Sequence, residues 1–292
     1  MMISHRNELS PPVFPDAWAS SWGEDPYGLW QAFVYRNVRH AFRWIPPGVF
    51  MMGSPETEEE RFDDEDLHEV TLSQGFWLGE TTVTQALWQA VMGANPSEFK
   101  GDNRPVERVS WDDTQKFIGK LGDLHPDLKV RLPSEAEWEY ACRAGTRTAF
   151  YFGAADTLTL ARANYRGTWD FKADIWGEGA KKETADVKSY PCNPWGLYEM
   201  HGNVWEWCED VWREPLDTAS VRDPGWASTA QEPGSGRVLR GGSWINSGGR
   251  ARSAGRSGNV PAFGNVNIGF RLALGHHAES SASHDGSVQS IA

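Results

Sequence analysis

Hydrophobic residues recur at helical spacing in three short segments, and each segment begins near a residue that can cap a helix. The segments cover residues 84–92, 110–121 and 133–142. In the third, Ser134 is followed three residues later by Glu137, so each side chain can accept the other residue's backbone N–H as a capping box. The pattern therefore predicts three short helices.

The remaining pattern predicts strands and loops. Residues 42–53 alternate in apolar character around a Pro-Pro-Gly turn, which predicts a β-hairpin. Residues 56–69 hold nine acidic residues among fourteen, a charge run typical of a solvated, mobile loop, with a cation site as the alternative. Beyond Gly145 we expect short strands and long loops. Together these patterns predict an α+β fold with few short helices and small sheets.

The two ends of the chain differ in composition from its middle. Residues 1–41 are dotted with Pro and Trp, and we interpret them as an N-terminal arm wrapping the domain, with a partner-binding extension as the alternative. Residues 276–292 are small and polar and predict a disordered tail. The domain itself is placed at residues 42–275.

Charge and cysteine content narrow the class of protein. The 292 residues include 28 Lys+Arg and 40 Asp+Glu, and the net charge of −12 argues against a general binder of nucleic acid or anionic membranes. No stretch approaches the ~20 apolar residues that a membrane span needs, and no secretory signal pattern is seen. Three cysteines do not make a disulfide framework. We therefore expect a cytoplasmic protein with an aromatic-rich core, with display at a cell surface as the alternative.

Four longer motifs carry a family resemblance. They are RLPSEAEWEYACRAG (131–145), NPWGLYEMHGNVWEWCED (193–210), RVLRGGSW (237–244) and IGFRLA (268–273). In this order they resemble the formylglycine-generating-enzyme (sulfatase-modifying-factor) superfamily over about residues 42–275. The resemblance implies an elaborated C-type-lectin-like fold, in which long loops sit on a small sheet framework.

The same resemblance argues against the reaction of that superfamily. Its enzymes oxidise a substrate cysteine with a pair of copper-holding cysteines shortly after the Gly-Gly-Ser-aromatic motif, and thiolates are the ligands that select Cu(I). Here the stretch from Trp244 to Arg250 holds no cysteine, and none occurs between Glu209 and Ala292. We assign no catalytic residue, expect no copper, and expect that the chain is not an enzyme.

The C-terminal segment is more similar to the variable proteins of diversity-generating retroelements. In those proteins a region ending in a Gly-Phe-Arg-like motif is mutagenised at adenines of a template, typically in AAC codons. Residues 244–271 fit this layout, because short blocks of small residues are separated by candidate fixed residues: Arg-Ser-Ala at 252–254, Arg256, Pro261 and Ile-Gly-Phe-Arg at 268–271.

The residue types in this segment can be compared with those that mutagenesis of AAC codons produces. Changing both adenines of AAC never yields Lys, Glu, Gln, Met or Trp, and none of these occurs in residues 245–267. The five types make up about one residue in five of the chain, so about four or five would be expected there. Loops rich in Gly, Ser and Asn are depleted in these types as well, which is the alternative explanation.

A diversified site must tolerate exchange of its side chains, which requires side chains facing solvent and fixed residues holding the backbone. Candidates for the holding role are Arg240, Arg250, Arg252, Arg256 and Arg271. Trp244 and Phe270 are expected to be core anchors. The predicted ligand-binding positions are Ile245, Asn246, Gly255, Ser257, Asn259, Val260, Ala262, Phe263, Asn265, Val266 and Asn267.

The expected partner is an unknown ligand, either a protein or another macromolecule. The arginines could instead form a surface patch that binds nucleic acid. However, residues 231–275 contain no lysine, and Arg side chains commonly bind backbone carbonyls. We therefore expect no nucleic acid.

The resemblance also implies a structural calcium site. Carried over position by position, it falls on the side chains of Glu199 and Glu206 and on the carbonyls of Gly202 and Val204. Carboxylate and carbonyl oxygens suit a hard cation such as Ca²⁺. A hydrogen-bonding role without metal is the alternative.

Three functions remain open at the level of the sequence. The first is a receptor-like, ligand-binding variable protein with a diversified C-terminal surface. The second is an enzyme of the superfamily with altered chemistry, using Asn246 or arginines in place of the cysteines. The third is a non-catalytic accessory domain of the same fold, with residues 56–69 and the Trp-rich start as docking elements.

Overall fold

Thirteen short strands and three α-helices alternate with long loops in the computed structural model, which describes residues 9–169, 175–213, 221–222 and 235–275. The helices are α1 (Gln85–Met92), α2 (Trp111–Leu124) and α3 (Glu135–Arg143). The strands are β1 (Ser21–Asp25), β2 (Gly28–Tyr35), β3 (Val38–Ile45), β4 (Gly48–Met52), β5 (His68–Leu72), β6 (Phe76–Gly79), β7 (Val130–Arg131), β8 (Trp205–Val211), β9 (Val221–Arg222), β10 (Arg237–Arg240), β11 (Arg256–Asn259), β12 (Ile268–Phe270) and β13 (Ala273–Leu274).

The described strands form three sheets. A six-stranded sheet has the order β1-β2-β3-β6-β13-β7, and a three-stranded sheet has the order β4-β5-β9. A four-stranded sheet, β11-β10-β8-β12, is built entirely from the C-terminal third of the chain. Its only parallel pair, β8 with β12, sets Ile268 opposite Trp205. This sheet positions the candidate ligand-binding segment.

Side-chain caps explain where the three helices begin. The hydroxyl of Thr84 accepts the backbone N–H of Leu87 at 3.3 Å. Ser110 forms a capping box with Asp113, and Ser134 forms the predicted one with Glu137. Each cap satisfies N–H groups that have no partner within the helix. All three predicted helices are confirmed, and α2 continues three residues beyond its predicted end.

Residues 42–53 do not form the predicted hairpin. Both strands are present, but β3 pairs with β2 and β6, whereas β4 pairs with β5. The Pro-Pro-Gly turn therefore leads the chain from one sheet into another. Alternation along a strand reports which side chains are buried and does not identify the neighbouring strand.

The N-terminal arm is shorter than predicted. Strands β1 and β2 and half of β3 lie within residues 21–41, so the boundary placed at residue 41 falls inside β3. Residues 9–20 do lie along the domain: Phe14 stacks on Trp77, and the indole N–H of Trp44 donates to the carbonyl of Leu9 at 2.7 Å. Residues 1–8 and the predicted tail, 276–292, lie outside the described residues.

Aromatic side chains fill the core between the helices and the four-stranded sheet. Trp88 and Phe117 stack with their ring centroids 5.3 Å apart, and Phe270 meets both rings edge-on. The indole N–H of Trp207 donates to the carbonyl of Val109 at 3.1 Å, so the buried ring keeps a hydrogen bond. These contacts confirm the aromatic-rich core and the α+β class.

No helix in the part of the chain that the structure describes is long and apolar enough to cross a membrane.

Candidate ligand-binding face

Buried arginines hold the backbone of residues 237–271. The guanidinium of Arg240 donates to the carbonyls of Ala254 and Gly255, at 2.9 and 2.7 Å, and pairs with the carboxylate of Glu139. The guanidinium of Arg271 donates to the carbonyl of Gly79 at 2.8 Å and pairs with Glu206 at 2.8 Å. These two residues fill the holding role predicted for them.

Arg252 is bound by the acidic segment, residues 56–69. Its guanidinium lies 2.6 Å from a carboxylate oxygen of Glu58 and 2.6 Å from one of Glu65, and it donates to the carbonyl of Gly249. Glu65 is fully buried and also accepts the hydroxyl of Ser54 at 2.7 Å. The prediction of a solvated, mobile loop is therefore wrong at these positions, because the carboxylates neutralise a buried cation within the same chain.

Arg256 and Arg250 complete the set of arginines. Arg256 donates to a carboxylate oxygen of Glu135 at 2.5 Å and to the carbonyl of Asp64 at 2.8 Å. The guanidinium of Arg250 lies 3.8 Å from the ring centroid of Phe62. A guanidinium can stack on an aromatic face while its N–H groups bond carbonyls and carboxylates. The acidic segment thus contacts three of the five arginines.

The predicted ligand-binding positions differ in exposure. Val260 is 50% exposed and Phe263 is 38% exposed, and they are the two large apolar side chains among the exposed positions of the face. Four positions are exposed, namely Val260, Ala262, Phe263 and Asn265. Five are half-buried, namely Ile245, Asn246, Ser257, Asn259 and Val266. The remaining two, Gly255 and Asn267, are buried.

Gly255 and Asn267 are corrections to the predicted face. A Cβ atom on Gly255 would lie 2.7 Å from the carbonyl oxygen of Arg250, so the position has no room for a side chain. The amide of Asn267 donates to the hydroxyl of Ser243 at 3.0 Å, and that hydroxyl donates to the side-chain carbonyl of Asn246. Asn267 therefore belongs to a buried hydrogen-bonded network and not to a solvent-facing display.

The exposed loop has a fixed backbone. The N–H of Arg108 donates to the carbonyl of Asn265 at 2.9 Å, and the N–H of Asp112 donates to the carbonyl of Pro261 at 3.2 Å. A Cβ atom on Gly264 would lie 3.1 Å from backbone carbons of residues 108–109, so the two segments are in contact. Backbone bonds hold the loop against the start of α2, while the side chains of Val260 and Phe263 reach solvent.

Trp244 and Phe270 are the predicted core anchors, and both are buried. The indole N–H of Trp244 donates to the carbonyl of Val266 at 3.2 Å, and its ring meets that of Phe99 edge-on. Trp244 thus links the first two predicted ligand-binding positions, 245 and 246, to the end of the exposed loop.

Several residues that support this face were not predicted from the sequence. Glu135 and Glu139 lie in α3, where the capping-box motif explained Glu137 alone. Their spacing of four residues along a helix puts both carboxylates on one face, and this spacing could have indicated a shared cationic partner. The ring of Trp212 lies under Arg256, with 4.6 Å between guanidinium and centroid, and no motif indicated it.

Two of the three cysteines are buried and protonated near neutral pH. Cys142 and Cys208 are buried, and burial raises the pKa of the Cys142 thiol to about 12 and that of Cys208 well above its usual value. Cys192 is half-buried. The thiolate is the nucleophile and metal ligand of cysteine, so these two buried thiols are inert near neutral pH.

The four predicted calcium ligands have different environments. Both oxygens of Glu206 accept hydrogen bonds, from Arg271 and from the indole N–H of Trp138 at 2.7 Å. Glu199 is buried, and its Oε2 has no hydrogen-bond partner among the described residues. Burial raises the pKa of Glu199 to about 7. The unpaired oxygen of Glu199 could bind a cation, whereas Arg271 already balances the charge of Glu206. Calcium at Glu199, Gly202, Val204 and Glu206 therefore stays a prediction.

Removal of calcium tests this prediction. We expect the midpoint of thermal unfolding to be about 5 °C higher with 1 mM CaCl₂ than with a chelator, because a cation that binds only the folded state stabilises it. The Glu199→Gln variant should lose this difference, since the amide carries no charge. An equal midpoint under both conditions, in protein that was first treated with chelator, would contradict the prediction.

Asp210 is expected to make the free energy of unfolding depend on pH. Its backbone-facing Oδ2 accepts the N–H of Glu135 at 2.7 Å, yet burial and the carboxylate of Glu135 raise its pKa to about 7. A raised folded-state pKa stabilises the fold below the unfolded value, and this stabilisation is lost as pH rises through 7. Between pH 4 and 7.5, Asp210→Asn should therefore gain about 3 to 4 kcal/mol relative to the parent, because each unit between the unfolded and folded pKa values is worth about 1.4 kcal/mol. Urea unfolding of both proteins across this range measures the difference, and a constant difference would refute the assignment.

The fold and the face together define a scaffold in which fixed arginines support loops with exposed side chains. Residues 35–275 match the family model described as the sulfatase-modifying factor enzyme 1-like domain. The chain belongs to this family. It is 34% identical to the formylglycine-generating enzyme of Mus musculus over 72% of this chain and 54% of that protein. It is 37% identical to the formylglycine-generating enzyme of Streptomyces coelicolor over 68% of this chain and 60% of that protein.

Two solved structures are similar to this chain in fold. Treponema denticola variable protein 1 superimposes with a TM-score of 0.70 and 29% identity, covering 84% of this chain and 98% of that one. PvdO from Pseudomonas aeruginosa superimposes with a TM-score of 0.66 and 26% identity, covering 86% and 99%. The C-type-lectin-like fold is confirmed, as is the similarity to a variable protein. The chain spans just over half the length of the formylglycine-generating enzymes compared above.

Proposed function

We propose that this chain is a ligand-binding variable protein whose C-terminal face is diversified by a retroelement and binds a protein or another macromolecule. The observation that carries the proposal is that residues 240–271 combine buried arginines, which hold the backbone, with exposed side chains, which can be exchanged. Arg240, Arg252, Arg256 and Arg271 are almost fully buried and bond backbone carbonyls or carboxylates. In the loop at 260–266, by contrast, the side chains at positions 260, 262, 263 and 265 are exposed. Such a loop can exchange its side chains and keep its backbone.

Two independent features support this proposal. The similarity to Treponema denticola variable protein 1 extends over 98% of that chain. Residues 245–267 also lack the five residue types that mutagenesis of AAC codons cannot produce. Apolar groups such as Val260 and Phe263, together with asparagines that bond adaptably, are suited to a macromolecular partner.

The DNA beside the gene tests the retroelement directly. We expect a near-identical copy of codons 244–271 close by, carrying AAC at exposed positions such as 260, 263 and 265, together with a reverse-transcriptase gene. Codons for Arg252, Arg256 and Arg271 should be the same in both copies. A locus with neither the repeat nor the reverse transcriptase would contradict the proposal.

We propose further that the chain does not carry out the cysteine oxidation of its enzyme relatives. The region after Gly241-Gly242-Ser243 holds no thiol, and the buried thiols elsewhere are protonated at neutral pH. Incubation with Cu(I), oxygen, a thiol reductant and a cysteine peptide, followed by mass spectrometry, should leave the peptide thiol unconverted. Conversion of the thiol to an aldehyde at a rate above a protein-free control would overturn this part of the proposal.

A further inference from the structure

Residues of the N-terminal arm and of the six-stranded sheet line a cavity of about 500 Å³. This volume lies within the range typical of small-molecule sites. Three tryptophans contribute their indole rings to the wall, namely Trp18, Trp44 and Trp77. None of the predicted ligand-binding positions lines the cavity. The cavity, which we call the arm cavity, is therefore separate from the candidate ligand-binding face.

The indole rings of the arm cavity are held in place by the chain itself. Trp44 and Trp77 meet at a corner, with their ring centroids 5.3 Å apart and an angle of 60° between the ring planes. Phe14 stacks on Trp77 with 5.9 Å between the ring centroids. Trp18 meets the buried ring of Phe42 edge-on. Rings that are fixed before a ligand binds lose little conformational entropy when it does.

Asp16 adds a fixed negative charge to the wall of the arm cavity. Its Oδ2 accepts a hydrogen bond from Nε2 of Gln31 at 2.6 Å, and its backbone N–H donates to Oε1 of Gln31 at 3.0 Å. No arginine or lysine among the described residues forms an ion pair with the Asp16 carboxylate. Asp127 also lines the cavity, as does one exposed basic residue, Lys129, whose ammonium can stay in water.

Several indole rings elsewhere in this protein have a cation over them. The guanidinium of Arg39 lies 5.0 Å from the ring centroid of Trp30, and that of Arg240 lies 5.4 Å from the ring centroid of Trp138. Within the described ranges, no arginine or lysine lies over any of the three rings of the arm cavity. The face of an indole ring attracts a cation electrostatically. Three such rings and an unpaired carboxylate therefore surround a space that suits a positive charge from outside the chain.

We propose that the arm cavity binds a small organic cation that carries a quaternary ammonium group. The three indole rings attract the cation, and the carboxylate of Asp16 balances its charge. A quaternary nitrogen has no N–H group, so it leaves no hydrogen-bond donor unpaired when an aromatic wall replaces water. The net charge of −12 also favours a cationic ligand over an anionic one. This inference does not rest on the proposed function.

Calorimetric titration with choline tests the arm cavity. Choline chloride and the neutral isostere of choline, in which a carbon atom replaces the nitrogen, are each titrated into the full chain at low ionic strength. We expect choline to bind at least about 10-fold more tightly, because the two compounds share a shape and differ in charge. Equal affinities would show that the cavity is merely apolar and would overturn the proposal, as would a titration without any binding of choline.

Two variants locate the bound cation, and a third serves as the control. Trp18→Ala removes one ring, and Asp16→Asn removes the charge while its side-chain oxygen can still accept the hydrogen bond from Gln31. Each should weaken the binding of choline at least about 5-fold. Trp22→Ala removes a ring that is 52% exposed and outside the cavity lining, so it should leave the affinity unchanged. If all three variants bind choline as the parent does, the assignment to this cavity is wrong.

Lys129→Gln tests the sign of the charge without disturbing the fold, because Lys129 is exposed. Removal of a positive charge from the cavity wall should strengthen the binding of choline by about 2- to 3-fold at low ionic strength. The gain should disappear in about 1 M NaCl, where salt screens charges in solvent. Weaker binding by this variant, or an unchanged affinity at low ionic strength, would contradict a cation in the arm cavity.

Discussion

Replacing Arg252 by Ala is expected to lower the free energy of unfolding by about 4 kcal/mol. The fully buried guanidinium bonds Glu58, Glu65 and the carbonyls of Glu60 and Gly249. Its loss leaves Glu65 as an unpaired charge inside the protein, and removing one partner of a buried pair costs more than the pair itself contributes. Urea denaturation with a fluorescence readout from the tryptophans measures the change.

Two comparisons sharpen this prediction. Arg108→Ala breaks an ion pair with Glu98 in which both side chains are about half exposed, so it should cost less than about 1 kcal/mol. Adding Glu65→Gln to Arg252→Ala should restore about half of the loss, because the uncompensated charge disappears. If Arg252→Ala costs no more than Arg108→Ala, the acidic segment does not support the variable region as described.

Gly255→Val is expected to cost about 2 to 3 kcal/mol, although valine is a residue that AAC mutagenesis can produce. A Cβ atom there would lie 2.7 Å from the carbonyl oxygen of Arg250 and 3.2 Å from that of Arg252, and backbone cannot yield as a flexible side chain can. The shift would also disturb the bond from Arg240 to the carbonyl of Gly255. Chemical denaturation measures the loss.

The matched control lies two residues away. Ser257→Val introduces the same side chain at a half-buried position of β11 and should change stability by less than about 1 kcal/mol. Equal effects at the two positions would mean that Gly255 is as exchangeable as its neighbours. Residue 255 would then return to the ligand-binding face.

The sequence predicted the elements that are determined locally. The capping residues Thr84, Ser110 and Ser134 located three helices, because a cap and the first turn it serves lie within four residues. The partner of a strand depends on contacts far along the chain, so residues 42–53 were assigned to a hairpin that does not form. Strands β1 and β2 and the first half of β3, which belong to the six-stranded sheet, were missed for the same reason.

The site was predictable to a similar extent. The holding role of the arginines followed from the composition of the segment and its family resemblance, but their partners could not be found. Glu58 and Glu65 lie about 190 residues before Arg252, and nothing in a run of acidic residues distinguishes a solvated loop from a counter-charge for buried cations. Likewise, Gly255 and Asn267 resemble their exposed neighbours in type, and only the packing shows that they are buried.

The central claim is that exposed side chains can be exchanged on a backbone that the arginines hold. The most direct measurement is the unfolding free energy of one variant with four simultaneous changes: Val260→Ser, Ala262→Tyr, Phe263→Asn and Asn265→Arg. All four new residues are reachable by AAC mutagenesis. Because these positions are exposed, we predict a change of no more than about 1 kcal/mol. A loss of more than about 3 kcal/mol would contradict the claim.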